Sequence, residues 1–338
     1  MKVLILGGTG VISSQIVQEG LKNGFEIITF NRGFKKKESN DQIKVIIGDR
    51  KNEADFADKM KDIEVDTVID MICFNKENAK QTLDVFKDKA KQIIFTSSVA
   101  AYERPYKSYP VREDKESLST FTDFEYAFDK AEMERYLQQE MGKIKAAITV
   151  VRPSLTFGEG SANLGILRQN RNLVRRIKAG KPVVMTGEGF TPWSFTFTPD
   201  LAKGYILCCG NEKTYNDHFQ ITNTERVVWE DLYKAIGKVV GVEPKLVYIP
   251  SKLLGELWPS VCSHLYYEKM DFSVFSVEKF QKAAPQYQPE VSLEQGIKSV
   301  IEWWETNNFP YDEEKEILED QICAYYEEFK EKLLTLKR

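Results

Sequence analysis

The N-terminal stretch, residues 2–14, constrains the fold of this chain more than any other part, and it reads KVLILGGTGVISS. Its uninterrupted apolar run, residues 3–6, is typical of a parallel strand that is buried on both faces. Three glycines follow the run at Gly7, Gly8 and Gly10. Apolar residues then recur at helical spacing over residues 11–23. This order of strand, glycine turn and helix predicts a dinucleotide site with the pyrophosphate at the helix N-terminus.

The residues of this turn have different predicted roles. Gly7 permits the tight turn, and Gly10 lets backbone N–H groups approach a phosphate. The third small position is Ser13, where glycine is usual, and we expect the serine to loosen the helix–strand packing slightly. The remaining residues of the turn that we expect to contact a dinucleotide are Thr9, Val11 and Ile12.

Strand-like and helical segments alternate through the first half of the chain. After the first strand, the predicted strands are residues 26–30, 43–47, 67–72, 92–96 and 147–151. The predicted helices between them include residues 53–61, 76–88 and 125–139. Repeated alternation of short apolar strands with helices predicts an α/β fold, a doubly wound parallel (Rossmann) sheet. In such a sheet ligands bind at the carboxyl ends of the strands.

Polar residues at the ends of the next strands complete the predicted cofactor set. Asn31 and Arg32 follow the second strand, where an NAD site usually has an acidic residue that binds the ribose 2′-OH. An arginine can instead pair bidentately with a 2′-phosphate, so the predicted cofactor is NAD or NADP, with NADP slightly favoured by Arg32. The alternative is a solvated basic loop, residues 32–37. Asp49 is expected to accept from the adenine amino group, and Arg50 and Met71 belong to the same predicted set.

Two later motifs make the family resemblance plain. The fifth strand runs into residues 95–102, which read FTSSVAAY, and a helix further on carries residues 126–130, YAFDK. With the glycine turn, these motifs resemble the extended short-chain dehydrogenase/reductases of the NAD-dependent epimerase/dehydratase family. The resemblance covers nearly the whole chain and continues in residues 151–154, 198–202 and 292–296, which read VRPS, TPDLA and SLEQG.

The resemblance implies a catalytic set of Ser98, Tyr126 and Lys130. The YxxxK spacing occurs four times in the chain, and only the copy at 126–130 follows the fifth strand and opens the helix leading to the sixth. Its i,i+4 spacing puts phenol and ammonium on one helix face. Lys130 is expected to stabilise the phenolate and to bond the nicotinamide ribose, while Ser98 holds the substrate oxygen and Tyr126 exchanges the proton. Ser97 is the competing serine, and the family spacing to Tyr102 favours Ser98.

The substrate implied by the resemblance is sugar-like, with a nucleotide sugar favoured. Two expected arginine sites are missing, because residues 191–194 read TPWS and residues 268–273 read EKMDFS. A diphosphate needs cationic partners. The arginines that remain as candidates for that role are Arg168, Arg171, Arg175 and Arg176.

The residues after Ser98 bear on the type of reaction. Sugar 4,6-dehydratases of this family carry an acidic pair directly after the catalytic hydroxyl residue, which drives the elimination of water. In this chain Val99 and Ala100 follow Ser98, so a dehydratase reaction is excluded. The prediction is reversible hydride transfer at a sugar hydroxyl carbon, with epimerisation first and NADPH-dependent ketoreduction as the alternative. RNA binding, known for plastid relatives, and NAD(P)-sensing regulation remain lesser alternatives.

Composition narrows the class of partner. The net charge of −4 at pH 7 provides no general basic field for nucleic acid, and only two histidines are present, so no metal site is predicted. Five cysteines without a CxxC motif fit free thiols in a reducing cytosol, and no apolar run reaches membrane-spanning length. We therefore predict a soluble cytoplasmic protein that acts on a small molecule. The resemblance implies self-association as a homodimer through the helices at 76–88 and 125–139.

The length of 338 residues predicts two domains or one domain with a large insertion. The predicted Rossmann domain is residues 1–155, with residues 195–235 returning to it. Residues 156–194 and 236–312 form the predicted smaller α+β substrate lobe. Residues 313–338 are rich in Glu and Lys and are predicted to be a charged helical tail, either a solvated face or a strap over a partner.

Overall fold

The computed structural model describes residues 1–34, 42–167 and 170–336, and the chain divides into two compact units. Unit 1 comprises Met1–Thr156, Thr196–Thr224 and Phe275–Glu290. Unit 2 comprises Phe157–Phe195, Glu225–Val274 and Val291–Arg338. The segment that returns to unit 1 therefore ends at Thr224, and residues 225–235 lie in unit 2. A third segment, residues 275–290, belongs to unit 1 and not to the second lobe as predicted.

Unit 1 is built on a seven-stranded sheet in which every neighbouring pair is parallel. Its strands are β1 (Lys2–Leu6), β2 (Glu26–Asn31), β3 (Ile43–Ile47), β4 (Thr67–Asp70), β5 (Gln92–Thr96), β6 (Ala147–Pro153) and β11 (Asp217–Ile221). The strand order is β3–β2–β1–β4–β5–β6–β11, so the order reverses beside β1. This confirms the predicted doubly wound parallel sheet.

Helices cover both faces of this sheet. They are α1 (Val11–Lys22), α2 (Glu53–Met60), α3 (Lys76–Phe86), α4 (Glu125–Glu140), α6 (Thr198–Cys208) and α10 (Glu278–Ala283), with 3₁₀ turns at Val99–Ala101 and Glu212–Thr214. One apolar core joins Ile5 to residues of α1, α6 and α10, and the other joins Leu4 to residues of α2, α3 and α4. Because successive strand residues face opposite sides, both cores need apolar residues, which explains the unbroken run in β1.

One predicted strand is longer than the observed one. The prediction extends it to residue 72, whereas β4 ends at Asp70. The Asp70 carboxylate accepts from the Ile72 N–H at 3.0 Å, and this local turn ends the strand.

Unit 2 mixes short strands with helices. Its remaining elements are α5 (Leu173–Lys178), β8 (Pro182–Thr186), β9 (Pro192–Trp193), β12 (Val227–Val228), α7 (Trp229–Val240), β13 (Lys245–Ile249), α8 (Ser251–Leu257), α9 (Pro259–His264), a π-helical turn (Leu265–Lys269), α11 (Leu293–Asn307) and α12 (Glu313–Leu334). Two further strands, β7 (Leu155–Phe157) and β10 (Phe195–Phe197), pair with each other. β13 pairs with β8 in parallel, β12 pairs with β9 antiparallel, and α7 packs against α11 and α5.

The first half of α12 is not a solvated tail, which corrects the prediction for residues 313–338. Ile322 and Cys323 are buried in unit 2. Arg176 is also buried, and its guanidinium pairs with three carboxylates of α12, those of Glu316, Glu319 and Asp320. Because a buried cation needs anionic partners, Arg176 anchors α12.

All five cysteines are buried free thiols. Within the described part of the chain, no helix is both long and apolar enough to cross a bilayer.

Candidate active site

The glycine turn after β1 leaves no room for side chains at two positions. Gly7 has a φ of +94°, and a Cβ there would lie 2.6 Å from Ile72 Cγ2. A Cβ on Gly8 would lie 2.5 Å from Thr29 Cγ2, whereas one on Gly10 would approach only the Ser13 hydroxyl, at 3.3 Å. Close backbone approach is therefore required at Gly7 and Gly8, and sequence reasoning gave Gly8 no role.

Ser13 tightens this turn, which corrects the prediction that it would loosen the packing. Its buried hydroxyl donates to Gly7 O at 2.5 Å and accepts from the Gly10 N–H at 2.9 Å. A glycine at this position would lack both bonds. The hydroxyl thus joins the two ends of the turn where α1 begins.

A cavity of about 430 Å³ opens beside the turn, at the carboxyl ends of β1, β2 and β3. Seven residues of the predicted cofactor set line it: Gly7, Thr9, Gly10, Asn31, Arg32, Asp49 and Arg50. Phe34, Ile72, Phe74 and Asn78 also line it and were not predicted. The rest of the set, which is Val11, Ile12, Met71 and Lys130, does not line this cavity. Ile12 and Met71 pack instead against the core beneath the sheet.

The polar residues at the ends of β2 and β3 are ordered by local contacts. The Asn31 side-chain oxygen accepts from the Gly33 N–H at 2.9 Å, and Asp49 accepts from the Lys51 N–H at 3.0 Å. The exposed Arg32 guanidinium lies over the Phe34 ring, 5.1 Å from its centroid. Lysines 35–37, the run predicted to share this loop, lie outside the described residues.

Arg50 lines the cavity, and its side chain is also engaged within the protein. Its Nη1 donates to both Asp70 oxygens at 3.0 and 3.1 Å. Its other bonds go to the carbonyl or side-chain oxygens of Ile72, Asn78, Thr82 and Gln81. A guanidinium has five N–H donors, and these bonds use all three nitrogens, so the Arg50 guanidinium supports the cavity wall.

Lys130 is buried and ties α4 to the ends of two strands. Its ammonium donates to Thr96 O at 2.7 Å and Cys73 O at 2.6 Å, and it lies 5.2 Å from the Phe74 ring centroid. Burial lowers the pKa of Lys130 because the apolar surroundings disfavour its charge. The two carbonyl bonds leave one ammonium hydrogen for a further acceptor.

The two competing serines have different surroundings. The hydroxyl of Ser97 is buried and donates to a Glu134 carboxylate oxygen at 2.5 Å. Ser98 is half-buried, and its hydroxyl accepts from the Ala100 N–H at 3.1 Å. Ser97 is thus committed to the protein interior, whereas Ser98 keeps its hydroxyl hydrogen for another acceptor.

Tyr126 lies near the start of α4 and is 41% exposed, whereas Lys130, one turn later, is 3% exposed. The Tyr126 ring lies 6.3 Å from the Phe124 ring. The helix packs against the turn Val99–Ala101, which Ser98 caps, and Lys130 bonds to the last residue of β5. The structure therefore brings the three predicted catalytic residues to the carboxyl end of β5.

A buried ion pair beneath these residues was missed by sequence reasoning. The Arg152 Nε donates to both Glu134 carboxylate oxygens at 2.9 and 3.0 Å, and its Nη1 donates to the Tyr102 hydroxyl at 3.0 Å. Burial raises the pKa of Glu134, but the charge of Arg152 and the hydrogen bonds from Arg152 and Ser97 together outweigh burial and lower the pKa. An arginine that ends a buried apolar strand was the available signal, since such a charge needs a partner.

The arginines considered as partners of a substrate diphosphate differ in how far other residues of the protein already engage them. Arg176 is committed to α12, which removes it from the candidates. The Arg175 guanidinium lies over the Tyr311 ring, 4.8 Å from its centroid. Arg171 is exposed, and Arg168 lies outside the described residues. Across the described residues, no group of three or more His, Cys, Asp or Glu side chains is arranged to hold a metal ion.

Comparison with known proteins agrees with this geometry. The family model described as the NAD dependent epimerase/dehydratase family matches residues 3–222. The chain is 26% identical over 266 residues to the chloroplast stem-loop binding protein of 41 kDa b of Arabidopsis thaliana, covering 74% of this chain and 66% of that protein. It is 22% identical over 325 residues to the UDP-N-acetyl-alpha-D-glucosaminuronate decarboxylase of Bacillus cytotoxicus, covering 90% and 97%.

A solved structure supports the fold. The UDP-glucuronic acid 4-epimerase of Bacillus cereus, in complex with NAD, superposes with a TM-score of 0.72 at 18% identity, covering 91% of this chain and 98% of the other. The family match spans more than half of the chain and includes the glycine turn, Ser98, Tyr126 and Lys130. The chain therefore belongs to the NAD-dependent epimerase/dehydratase family, among the extended short-chain dehydrogenase/reductases.

Proposed function

We propose that this protein catalyses reversible, NAD(P)-dependent hydride transfer at a hydroxyl-bearing carbon of a sugar-like substrate. The observation that carries the proposal is the arrangement of Ser98, Tyr126 and Lys130 at the carboxyl end of β5, in the same unit as the glycine-turn cavity. A nucleotide sugar is the favoured substrate, because UDP-sugars appear in the names of the Bacillus relative and neighbour.

The residues around the cavity fit a dinucleotide. Gly7 and Gly8 approach their neighbours too closely for any side chain, and the turn leads into the twelve-residue helix α1. The proposal assigns the pyrophosphate to this turn, where backbone N–H groups and the helix dipole favour negative charge. The adenosine half is assigned to Asn31, Arg32 and Asp49. When bound, the nicotinamide would accept a hydride from the substrate carbon and return it to that carbon.

The chain's own residues handle the proton. Ser98 donates its hydroxyl hydrogen to the substrate oxygen and holds it in place. Tyr126 takes the proton from that oxygen as the alcohol is oxidised and returns it on reduction. Lys130 stabilises the Tyr126 phenolate by its charge, and the ammonium hydrogen not used by Thr96 and Cys73 is assigned to the nicotinamide ribose.

Epimerisation is the first candidate reaction. An epimerase oxidises and re-reduces the same carbon and therefore needs only this one proton-transfer set. Val99 and Ala100, next to Ser98, are buried and carry no acid or base for dehydration. The second candidate is a ketoreductase with exchangeable NADPH, which Arg32 at the cavity favours.

Five buried free thiols support a cytoplasmic location, because buried unpaired cysteines suit a reducing compartment.

The first experiment identifies any nucleotide that the purified protein releases on denaturation, by mass spectrometry. Stoichiometric NAD would support an epimerase with a retained cofactor. Empty protein that prefers NADPH would support the reductase, and protein that binds neither NADH nor NADPH would contradict the proposed function.

A substitution at Tyr126 tests the chemistry. We expect Tyr126→Phe to keep the wild-type dinucleotide affinity and to lose turnover of UDP-glucose or UDP-glucuronic acid by at least about a hundredfold, since the proton acceptor is gone. Tyr136→Phe on the same helix is the control and should keep activity. Full activity in Tyr126→Phe would remove the assignment.

A substitution at Arg32 tests the proposed preference for NADP, which rests on this residue. The Bacillus cereus neighbour, in contrast, was solved with NAD. We expect Arg32→Ala to weaken NADPH binding about tenfold or more and to leave NADH binding nearly unchanged, since only NADPH has a 2′-phosphate. Lys44→Ala, an exposed change on β3, is the control. Equal losses for both dinucleotides in calorimetric titrations would withdraw the 2′-phosphate role.

Stem-loop binding is a second candidate function, favoured by the name of the Arabidopsis relative. Binding of an RNA hairpin whose affinity falls steeply with salt would support it. The net charge of −4 opposes it.

A further inference from the structure

Phe74 is a large apolar side chain that stays exposed beside the glycine-turn cavity. It lies in the loop between β4 and α3, lines the cavity and is 54% exposed. The residue before it, Cys73, is buried. An exposed aromatic ring in the wall of a cavity offers an apolar contact to a ligand, so the role of this ring has to be explained.

The backbone that carries this ring is held by hydrogen bonds on both sides. The Phe74 N–H donates to the Asn78 side-chain oxygen at 3.0 Å, and Cys73 O accepts from the Lys130 ammonium at 2.6 Å. Asn75 caps α3 by accepting from the Asn78 N–H at 3.0 Å. The ring is therefore presented to the cavity on a fixed backbone, which lowers the entropy cost of a contact with a ligand.

The same ring contacts the proposed catalytic lysine. The Lys130 Nζ lies over the Phe74 ring, 5.2 Å from its centroid, a distance at which an ammonium and an aromatic face attract each other. Lys130 is 3% exposed, and two of its three ammonium hydrogens go to Cys73 O and Thr96 O. The ring therefore lies beside the ammonium group whose third hydrogen is assigned to the nicotinamide ribose.

The strand order shows where Phe74 falls along the predicted dinucleotide site. The strands β2, β1, β4 and β5 are parallel neighbours in that order, so their carboxyl ends form one edge of the sheet. Arg32 follows β2, the glycine turn follows β1, Phe74 follows β4, and Lys130 bonds to the last residue of β5. Phe74 thus lies between the turn assigned to the pyrophosphate and the lysine assigned to the nicotinamide ribose.

We propose that the Phe74 ring packs against the nicotinamide-side ribose of the dinucleotide, beside the Lys130 ammonium, and so selects ligands that carry this second ribose. The inference rests on the proposed function, because it needs a dinucleotide in the cavity. Burying the exposed part of the ring removes apolar area from water, which stabilises the complex. A nucleotide that ends at the diphosphate ends at the glycine turn and gains nothing from Phe74.

Calorimetric titration of the full chain, freed of bound nucleotide, with ADP, ADP-ribose and NADH tests this contact. We expect Phe74→Ala to weaken ADP-ribose and NADH about tenfold, because both carry the second ribose, and to leave ADP unchanged. Phe74→Tyr keeps the ring face and should keep the wild-type affinities. Phe329→Ala removes a ring of similar exposure, 51%, from α12 and is the matched control. Both alanine variants should keep the wild-type unfolding midpoint, since both rings are exposed.

The possible failures of this experiment are distinct from one another. Equal ADP-ribose affinity in the wild type and Phe74→Ala would overturn the inference and leave the proposed function standing. A loss for ADP as large as the loss for ADP-ribose would overturn it too, since the ring would then act on the adenosine half. A loss confined to NADH would place the ring against the nicotinamide and overturn the assignment to the ribose. A wild type that binds neither NADH nor NADPH would contradict the proposed function and this inference together.

Discussion

Single hydroxyl and guanidinium groups shape the nucleotide-binding end of unit 1. The Ser13 hydroxyl joins Gly7 and Gly10 across the turn, and the Arg50 guanidinium holds Asp70 beneath the cavity. Both groups satisfy buried polar atoms that would otherwise lose solvation without gaining a partner. Neither has to touch the dinucleotide to affect how it binds.

We therefore expect Ser13→Ala to lower the free energy of unfolding by about 1–2 kcal/mol, because the Gly7 carbonyl loses its donor. Dinucleotide affinity should fall as well, since the turn is less rigid. Denaturant unfolding and calorimetric titration measure the two effects. The control is Ser14→Ala, which removes a longer bond to Val11 O of 3.3 Å and should change neither quantity much. Unchanged stability in Ser13→Ala would contradict the role given to its hydroxyl.

At the scale of elements, the edge strand β11 is held by ionic contacts from α10. Lys279 on α10 donates to Asp217 at 2.6 Å and to His218 O at 2.7 Å. Burial, together with the charges of Arg152 and Lys279, lowers the pKa of His218 to about 4, against the opposing charges of Glu134 and Asp217. His218 is therefore neutral in the folded protein over a pH range in which it is protonated when unfolded.

This difference predicts a pH-dependent stability. Between the unfolded pKa near 6.5 and the folded pKa of about 4, the unfolded chain binds the extra proton, so stability falls as the pH is lowered through this window. We expect His218 to contribute a loss of roughly 2–3 kcal/mol, measured by urea unfolding from pH 7 to pH 4. His218→Gln should flatten that part of the profile. An unchanged profile in the variant would rule His218 out as the cause.

At the scale of the whole molecule, the two units are each assembled from three separate chain segments. Residues 1–156 contain every predicted cofactor and catalytic residue, yet the core of unit 1 also needs Leu201, Tyr205 and Phe219 from the second segment and Phe280 and Tyr287 from the third. Folding of the site therefore depends on distant parts of the chain.

We accordingly expect a fragment of residues 1–156 to show no cooperative unfolding transition and no dinucleotide binding, because one face of its sheet lacks its cover. Circular dichroism during urea titration and calorimetry measure this, with the full chain as control. A cooperative fragment that binds NADH would mean that the later segments are dispensable for the site.

The sequence by itself determined the parallel sheet, the position of the glycine turn and the candidate residues Ser98, Tyr126 and Lys130. These follow from local patterns, because an apolar run, a glycine cluster and an i,i+4 pair each indicate a local geometry within a few residues. The tertiary structure decided which polar side chains already have partners inside the protein. Only folding brings Arg50 to Asp70, Ser97 to Glu134 and Arg176 to α12, because those partners lie 20 to about 140 residues apart and burial selects them.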